Sequence, residues 1–170
     1  LEKIELKDIK NKIIFFNQKM CYYKFNLYQK NYKWVGTRVC RKKNLSSPQW
    51  IRDVKAKIYP LWRIDILFSK HKYNNIFFVE DGGWHFSYLN TPQLIEEKLK
   101  SYTHHREYEL NPIGIKNIEE RIKNRESVYN LSSDKRKNQF SEGVKLNLLK
   151  NEELPKYIND NKEKFKNWLD

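Results

Sequence analysis

Alanine is nearly missing from this chain. Ala56 is the only one, while lysine and asparagine are abundant. That bias is typical of an AT-rich coding sequence, so part of the basic charge is compositional. Cysteine is scarce too: Cys21 and Cys40 are the whole complement. Two residues exclude a disulfide framework and a zinc-ligand pattern, and leave open one bridge between them or two reduced thiols. No apolar run nears the roughly 20 residues needed to span a bilayer, and no signal-peptide pattern opens the chain. Internal repeats and low-complexity linkers are absent, so one continuous unit over residues 1–170 is the expectation. The first residue is Leu1 rather than methionine, directly in an amphipathic stretch. The chain is therefore expected to be a fragment.

What is present narrows the classes. At 170 residues the chain can bury a real core. The net charge of +13 and pI near 9.6 fit an anionic partner: nucleic acid, a membrane face or a phosphorylated substrate. The basic residues are dispersed, with only short clusters such as Arg41-Lys42-Lys43 and Lys135-Arg136-Lys137. A nucleic-acid binder more often gathers them into one stripe or tail. Aromatic residues make up 15 % of the chain, too many for a disordered basic tail. They either fill a core or line a surface for sugars or bases.

Spacing predicts the elements. Leu1, Ile4, Ile9 and Ile13 suit a short helix leading into a strand at 13–16. Residues 21–28 alternate Tyr23, Phe25 and Leu27 against Lys24 and Asn26, a half-buried strand pattern. A second strand over 33–40 is interrupted by Gly36. Ser46-Ser47-Pro48 starts a helix with Trp50, Val54 and Ile58 on one face. Residues 76–79 are wholly apolar and predict a buried strand. Thr91-Pro92 starts another helix, with Leu94, Ile95, Leu99 and Tyr102 on its apolar face. That helix is expected to run out near Thr103, presenting His104 and His105. Further helices are predicted over 113–123 and 154–169, the latter burying Ile158, Phe165 and Trp168. Between them, 125–143 reads as a long polar surface loop. The class is mixed α/β, with helices dominating the second half.

The stretch Phe-Val-Glu-Asp-Gly-Gly-Trp-His-Phe-Ser-Tyr-Leu, residues 78–89, carries the most chemistry. A buried strand ending in two acids and two glycines builds a site compactly. The strand fixes position, Gly82 and Gly83 permit close approach, and Glu80 and Asp81 project at the open end. Trp84 offers a ring that can stack on a sugar. His85 can ligate a metal, donate to phosphate or exchange a proton near neutral pH. The bland alternative is an ordinary turn between two strands followed by core aromatics. His71 is expected to be exposed in a lysine-rich loop. The His104-His105 pair is equally suited to interact with a helix C-terminus, and adjacent histidines on a helix point apart.

Gly83-Trp84-His85-Phe86-Ser87 resembles the Gly-Trp-His-x-Ser signature of glycosyltransferase family 17, and three further elements match in order. Tyr22-Tyr23-Lys24-Phe25-Asn26 precedes a Trp-x-Gly element at Trp34-Val35-Gly36, with Thr37-Arg38 behind it. Lys98-Leu99-Lys100-Ser101-Tyr102-Thr103-His104 is similar to the family's Lys-(Leu/Met)-x-Ser-Phe-Ser-His helix. Leu154-Pro155-x-Tyr157-Ile158, with Asn161 and Phe165, resembles its closing pattern. The matches spread from about Met20 to the end.

That resemblance implies the C-terminal part of a GT-A-like, Rossmann-related domain. The enzyme would transfer a sugar, foremost N-acetylglucosamine from a UDP-sugar donor, to a glycan acceptor with inversion. Asp81 is then the expected general base and Glu80 the second choice. His85 or His104 would complete a metal shell or bind diphosphate. Arg38 would meet phosphate oxygens, and Trp34 and Trp84 would contact substrate with Gly82 and Gly83 beside them. Family members carry an Asp-x-Asp-Glu element upstream that holds Mn or Mg; no Asp-x-Asp occurs here. The main metal ligands and any membrane anchor are accordingly expected outside this chain, and the chain alone is expected to be inactive. The resemblance implies no nucleic-acid partner. It fits a cytoplasmic or membrane-associated place in a microbe, or a Golgi membrane in a eukaryote. The rival readings are a basic nucleic-acid-binding module and a noncatalytic glycosyltransferase remnant.

Overall fold

The computed structural model describes residues 13–101, 105–130 and 140–170. In chain order the elements are β1 (Ile13–Phe16), β2 (Gln18–Tyr22), β3 (Leu27–Trp34), β4 (Arg38–Val39), α1 (Pro48–Asp53), β5 (Ile76–Val79), β6 (Trp84–Ser87), α2 (Pro92–Ser101), α3 (His105–Leu110), α4 (Ile115–Lys123), β7 (Asn147–Leu148), α5 (Lys156–Asp160) and α6 (Lys162–Phe165). Mixed α/β is the observed class. The predicted opening helix falls outside the described residues, apart from Ile13. The chain divides into two compact units although its sequence shows no linker. The first comprises Lys33–Gly83 with the described residues up to Gln18. The second comprises Lys19–Tyr32 and the described residues of Trp84–Asp170.

The first unit is built on a three-stranded sheet in the order β4-β1-β5. The central strand β1 pairs antiparallel with β4 and parallel with β5, Phe16 lying opposite Val79. Its four residues are all apolar because both faces are covered. Ile13 and Phe15 pack with Val54 and Ile76, while Ile14 and Phe16 pack with Val79. Full burial of a side chain such as Ile14 or Phe15 stabilises by about 1.5–3 kcal/mol. β5 is an edge strand rather than a fully buried one, and Phe77 is 45 % exposed.

α1 is shorter than its spacing predicts. Ser47 caps it by accepting from the Trp50 N–H at 3.0 Å, with Pro48 at the first turn. It stops at Asp53 because Val54 turns extended and buries itself in the core, leaving Ile58 outside the helix and exposed. Arg38 reinforces that stop. Its Nη1 donates to the carbonyls of Ile51 (2.6 Å), Arg52 and Val54 (3.0 Å).

The second unit holds a four-stranded sheet in the order β6-β2-β3-β7. β2 and β6 run parallel, with Lys19 opposite Trp84 and Met20 opposite His85. The strand predicted over 21–28 is instead a strand end and a turn. Tyr23 adopts a left-handed φ of 61°, so the chain leaves β2 at Tyr22 and resumes extended structure at Leu27. Phe25 in that turn packs edge-on against Phe86 and Phe165. Many of the aromatics are core: Tyr22 stacks on Tyr88 and meets Tyr129 edge-on. The second strand predicted over 33–40 is likewise divided, β3 ending at Trp34 and β4 holding only Arg38–Val39.

Among the helices, α2 buries Ile95 and Leu99, four residues apart, but leaves Leu94 46 % exposed. Residues 102–104 lie outside the described set. α4 begins at Ile115 because Gly114, with φ 77°, breaks helical geometry after the buried Ile113. The helix predicted over 154–169 is broken at Asn161 into α5 and α6, then a short 3-10 turn. Ile158 is buried and Phe165 half-buried, but Trp168 is 37 % exposed. Of the polar loop predicted over 125–143, residues 131–139 are outside the described set. Ser127 and Val128 in it are fully buried. Cys21 and Cys40 are free thiols, and burial pushes the Cys21 thiol up to about 12.

Candidate active site

In the first unit, the acids of the motif sit where β5 ends. Asn17, the residue after β1, ties this turn down three times. Its N–H donates to the Val79 carbonyl at 3.0 Å, and its own carbonyl accepts from the Gly82 N–H at 2.9 Å. Its side-chain amide donates to Glu80 Oε1 at 2.7 Å. Between those anchors the backbone must reverse sharply. Asp81 takes a left-handed φ of 49°, a region that Asp tolerates better than most residues.

Each glycine has its own reason. A Cβ on Gly82 would stand 2.7 Å from the Phe16 Cβ, so hydrogen alone lets the turn lie against β1. Close approach is used here by a core phenylalanine. Gly83 has φ 112° and faces little crowding, so backbone conformation sets its identity.

The two acids differ in environment. Glu80 is exposed, yet both of its oxygens are engaged: Oε1 with Asn17 and Oε2 with the Lys33 ammonium at 2.5 Å. The Lys33 hydrogen bond, helped by that of Asn17, holds the Glu80 carboxyl below the usual carboxylate range. A carboxylate so stabilised is a weaker base. Asp81 is exposed and next in the chain.

In the second unit, Trp84 and His85 open β6. The Trp84 indole packs against the cluster of Cys21, Leu149, Leu154 and Ile158, and its Nε1–H donates to the Glu153 carbonyl at 2.9 Å. The ring is therefore a packing element, half-buried, with its only hydrogen-bond donor satisfied. His85 is half-buried as well. Desolvation, then the nearby positive charge of Lys98, pushes its imidazole below its ordinary pKa. His85 thus offers a neutral ring near neutral pH and is a poor point charge for diphosphate.

The remaining candidates lie apart in role. Arg38 is committed to the carbonyls at the end of α1, and its guanidinium lies 5.1 Å from the Phe15 ring centre. Trp34 is half-buried and folds over Gly36, where any Cβ would collide with the indole; that contact explains the Trp-x-Gly spacing. His104 lies outside the described residues. His71 is half-buried rather than exposed. Asn17 and Lys33 have no sequence signal, since nothing local links them to an acid 63 or 47 positions away.

Among the described residues, no three His, Cys, Asp or Glu side chains gather to hold a metal ion. Clefts of about 720 Å³ beside α4 and 540 Å³ beside α1 are not lined by residues 80–85. Among the described residues, no helix is long and apolar enough to cross a membrane. No protein-family model matches the chain, and no curated protein or solved structure matches it either.

Proposed function

We propose that this chain belongs to an inverting glycosyltransferase that uses a nucleotide sugar, with Asp81 as the general base. The observation that carries the reading is the placement of Glu80 and Asp81 at the carboxyl end of the parallel pair β1 and β5. Open α/β sheets bind ligands outside the carboxyl ends of parallel strands. The ordered resemblance from Tyr22 to Phe165 supports the reaction class and a donor of the UDP-N-acetylglucosamine kind.

Single-step inversion needs a base to remove the proton of the acceptor hydroxyl as its oxygen bonds to the anomeric carbon and diphosphate departs. Glu80 is the weaker choice, because Lys33 and Asn17 occupy its oxygens and stabilise its charge. The left-handed turn at Asp81 presents a second exposed carboxylate at the same strand end. Glu80 then acts as a positioning residue, holding the turn against Asn17.

The test is transfer of radiolabelled N-acetylglucosamine from the UDP-sugar to glycan acceptors by the intact protein, with Mn supplied. Asp81→Asn, which keeps a side chain tolerant of the left-handed turn, should lower kcat roughly 100- to 10,000-fold. Glu80→Gln should lower it less. Wild-type turnover by Asp81→Asn excludes this base. Absence of transfer together with tight, salt-sensitive oligonucleotide binding favours the nucleic-acid reading instead.

A further inference from the structure

Between α1 and β5 the chain makes a surface loop unlike the rest of the first unit. Six large apolar side chains stand in solvent within eleven positions: Ile58 (63 % exposed), Leu61 (87 %), Trp62 (79 %), Ile64 (70 %), Leu67 (81 %) and Phe68 (85 %). Scattered exposed apolar residues are ordinary, but a run of this density is a contact surface. The loop is also folded. Tyr59 and Ile66 point inward and are buried, while Arg63, Ile66 and Leu67 close successive turns by donating to the carbonyls of Pro60, Arg63 and Ile64. Two buried anchors thus hold six apolar side chains outward.

Charge surrounds this loop. Residues 55–72 contain five Lys or Arg and a single acid, Asp65. That acid is neutralised by Arg63 at 2.7 Å and Lys72 at 2.6 Å. Lys57, Arg63 and Lys72 all approach the ring of Tyr59, at 5.9, 5.3 and 5.9 Å from its centre. Cations are therefore collected at the base of the apolar loop. Hydrophobic tips that include a Trp, ringed by basic residues, match a bilayer interface in both components: acyl chains below and anionic headgroups above.

We propose that residues 58–68 form an interfacial membrane contact, with Leu61, Trp62, Leu67 and Phe68 entering the headgroup region of an anionic bilayer and the flanking lysines meeting its lipid phosphates. This contact lies within the chain, whereas the sequence reading expects membrane association only through a segment outside it. It is independent of the glycosyltransferase reading.

The test is co-sedimentation of the chain with phosphatidylcholine vesicles and with vesicles containing about 30 mol % phosphatidylserine. A protein of net charge +13 is attracted to any anionic surface, so charge alone is a competing cause. The deciding variant is therefore charge-neutral: Leu61→Ser, Trp62→Ser, Leu67→Ser and Phe68→Ser together. All four positions are exposed, so circular dichroism and melting should be unchanged. The chain should bind the anionic vesicles, and this variant should partition roughly tenfold or more weakly. Lys57→Gln with Lys70→Gln should weaken binding several-fold and flatten its salt dependence. Equal binding by the fourfold variant would overturn the proposal, as diffuse charge would then suffice. So would no vesicle binding by the wild type, or concentration-dependent oligomers that the fourfold variant disperses, which would make the loop an interface between copies.

Discussion

Glu80 accepts a hydrogen bond from the Lys33 ammonium at 2.5 Å, across 47 positions of sequence. The pair keeps one of two adjacent acids firmly anionic. Lys33→Met should raise the Glu80 pKa toward its ordinary value near 4.5, read by carboxyl NMR titration. Because the folded-state pKa is depressed, the stabilisation is present above about 4.5 and is lost as pH falls through the folded value. Both side chains are about 60 % exposed, so its size should be no more than about 1 kcal/mol. An unchanged Glu80 titration would remove Lys33 from the account.

Gly82 should be intolerant of any side chain. An added Cβ meets the Phe16 Cβ at 2.7 Å and the Phe16 backbone Cα at 3.1 Å, so rotamer changes cannot relieve it. Gly82→Ala should cost about 1–3 kcal/mol in denaturant unfolding. Gly114→Ala has no atom within 4 Å of the new Cβ, but φ 77° with ψ 156° is a conformation nearly confined to glycine; its cost should be about 1–3 kcal/mol, from backbone strain alone.

Arg38 is the position where stability and substrate binding make opposite forecasts. Arg38→Ala removes donors from three helix-end carbonyls and a cation over Phe15, and should destabilise by about 2–4 kcal/mol. Arg38→Lys should recover part of this, since one nitrogen, Nη1, makes all three bonds and an ammonium also carries its donors on one nitrogen. A raised KM for the donor at unchanged melting temperature would return Arg38 to the phosphate role.

His85 should make the fold sensitive to mild acid. Its folded-state pKa lies below the ordinary 6.5 through burial first and Lys98 second. The unfolded chain therefore takes up the proton first, and stability falls as pH drops from about 6.5 to the folded value, then levels off. Lys98→Gln should raise the His85 pKa and narrow that window, as followed by imidazole NMR. A His85 titration unmoved by Lys98→Gln would contradict the assignment.

Local signals were legible where the chain obeys local physics. The apolar run at 76–79 is a strand, Ser47-Pro48 and Thr91-Pro92 begin helices, and the acid-glycine turn falls where the pattern places it. Alternation misled at 21–28, because a left-handed Tyr23 turns the chain while its aromatics still pack inward. Helix lengths differ from the spacing where Val54 leaves α1 for the core and where Gly114 delays the start of α4. Residues 80–85 are neighbours in sequence, but Glu80–Gly83 belong to the first unit and Trp84 and His85 to the second. What the sequence does not show is that the Trp84 indole packs on the second unit's core and that Arg38 Nη1 meets the carbonyls at the end of α1.

By itself, the amino-acid sequence determined the mixed α/β class, the strand at 76–79 and the turn that follows it, because backbone preferences and apolar periodicity act over a few residues. Tertiary structure alone decided that Lys33 meets Glu80, why Gly82 must lack a side chain, and which apolar residues between 58 and 68 face outward. Each of those depends on partners brought together by the pairing of β1 with β5 or by the burial of Tyr59 and Ile66. Contacts spanning tens of residues leave no periodic trace in the chain that makes them.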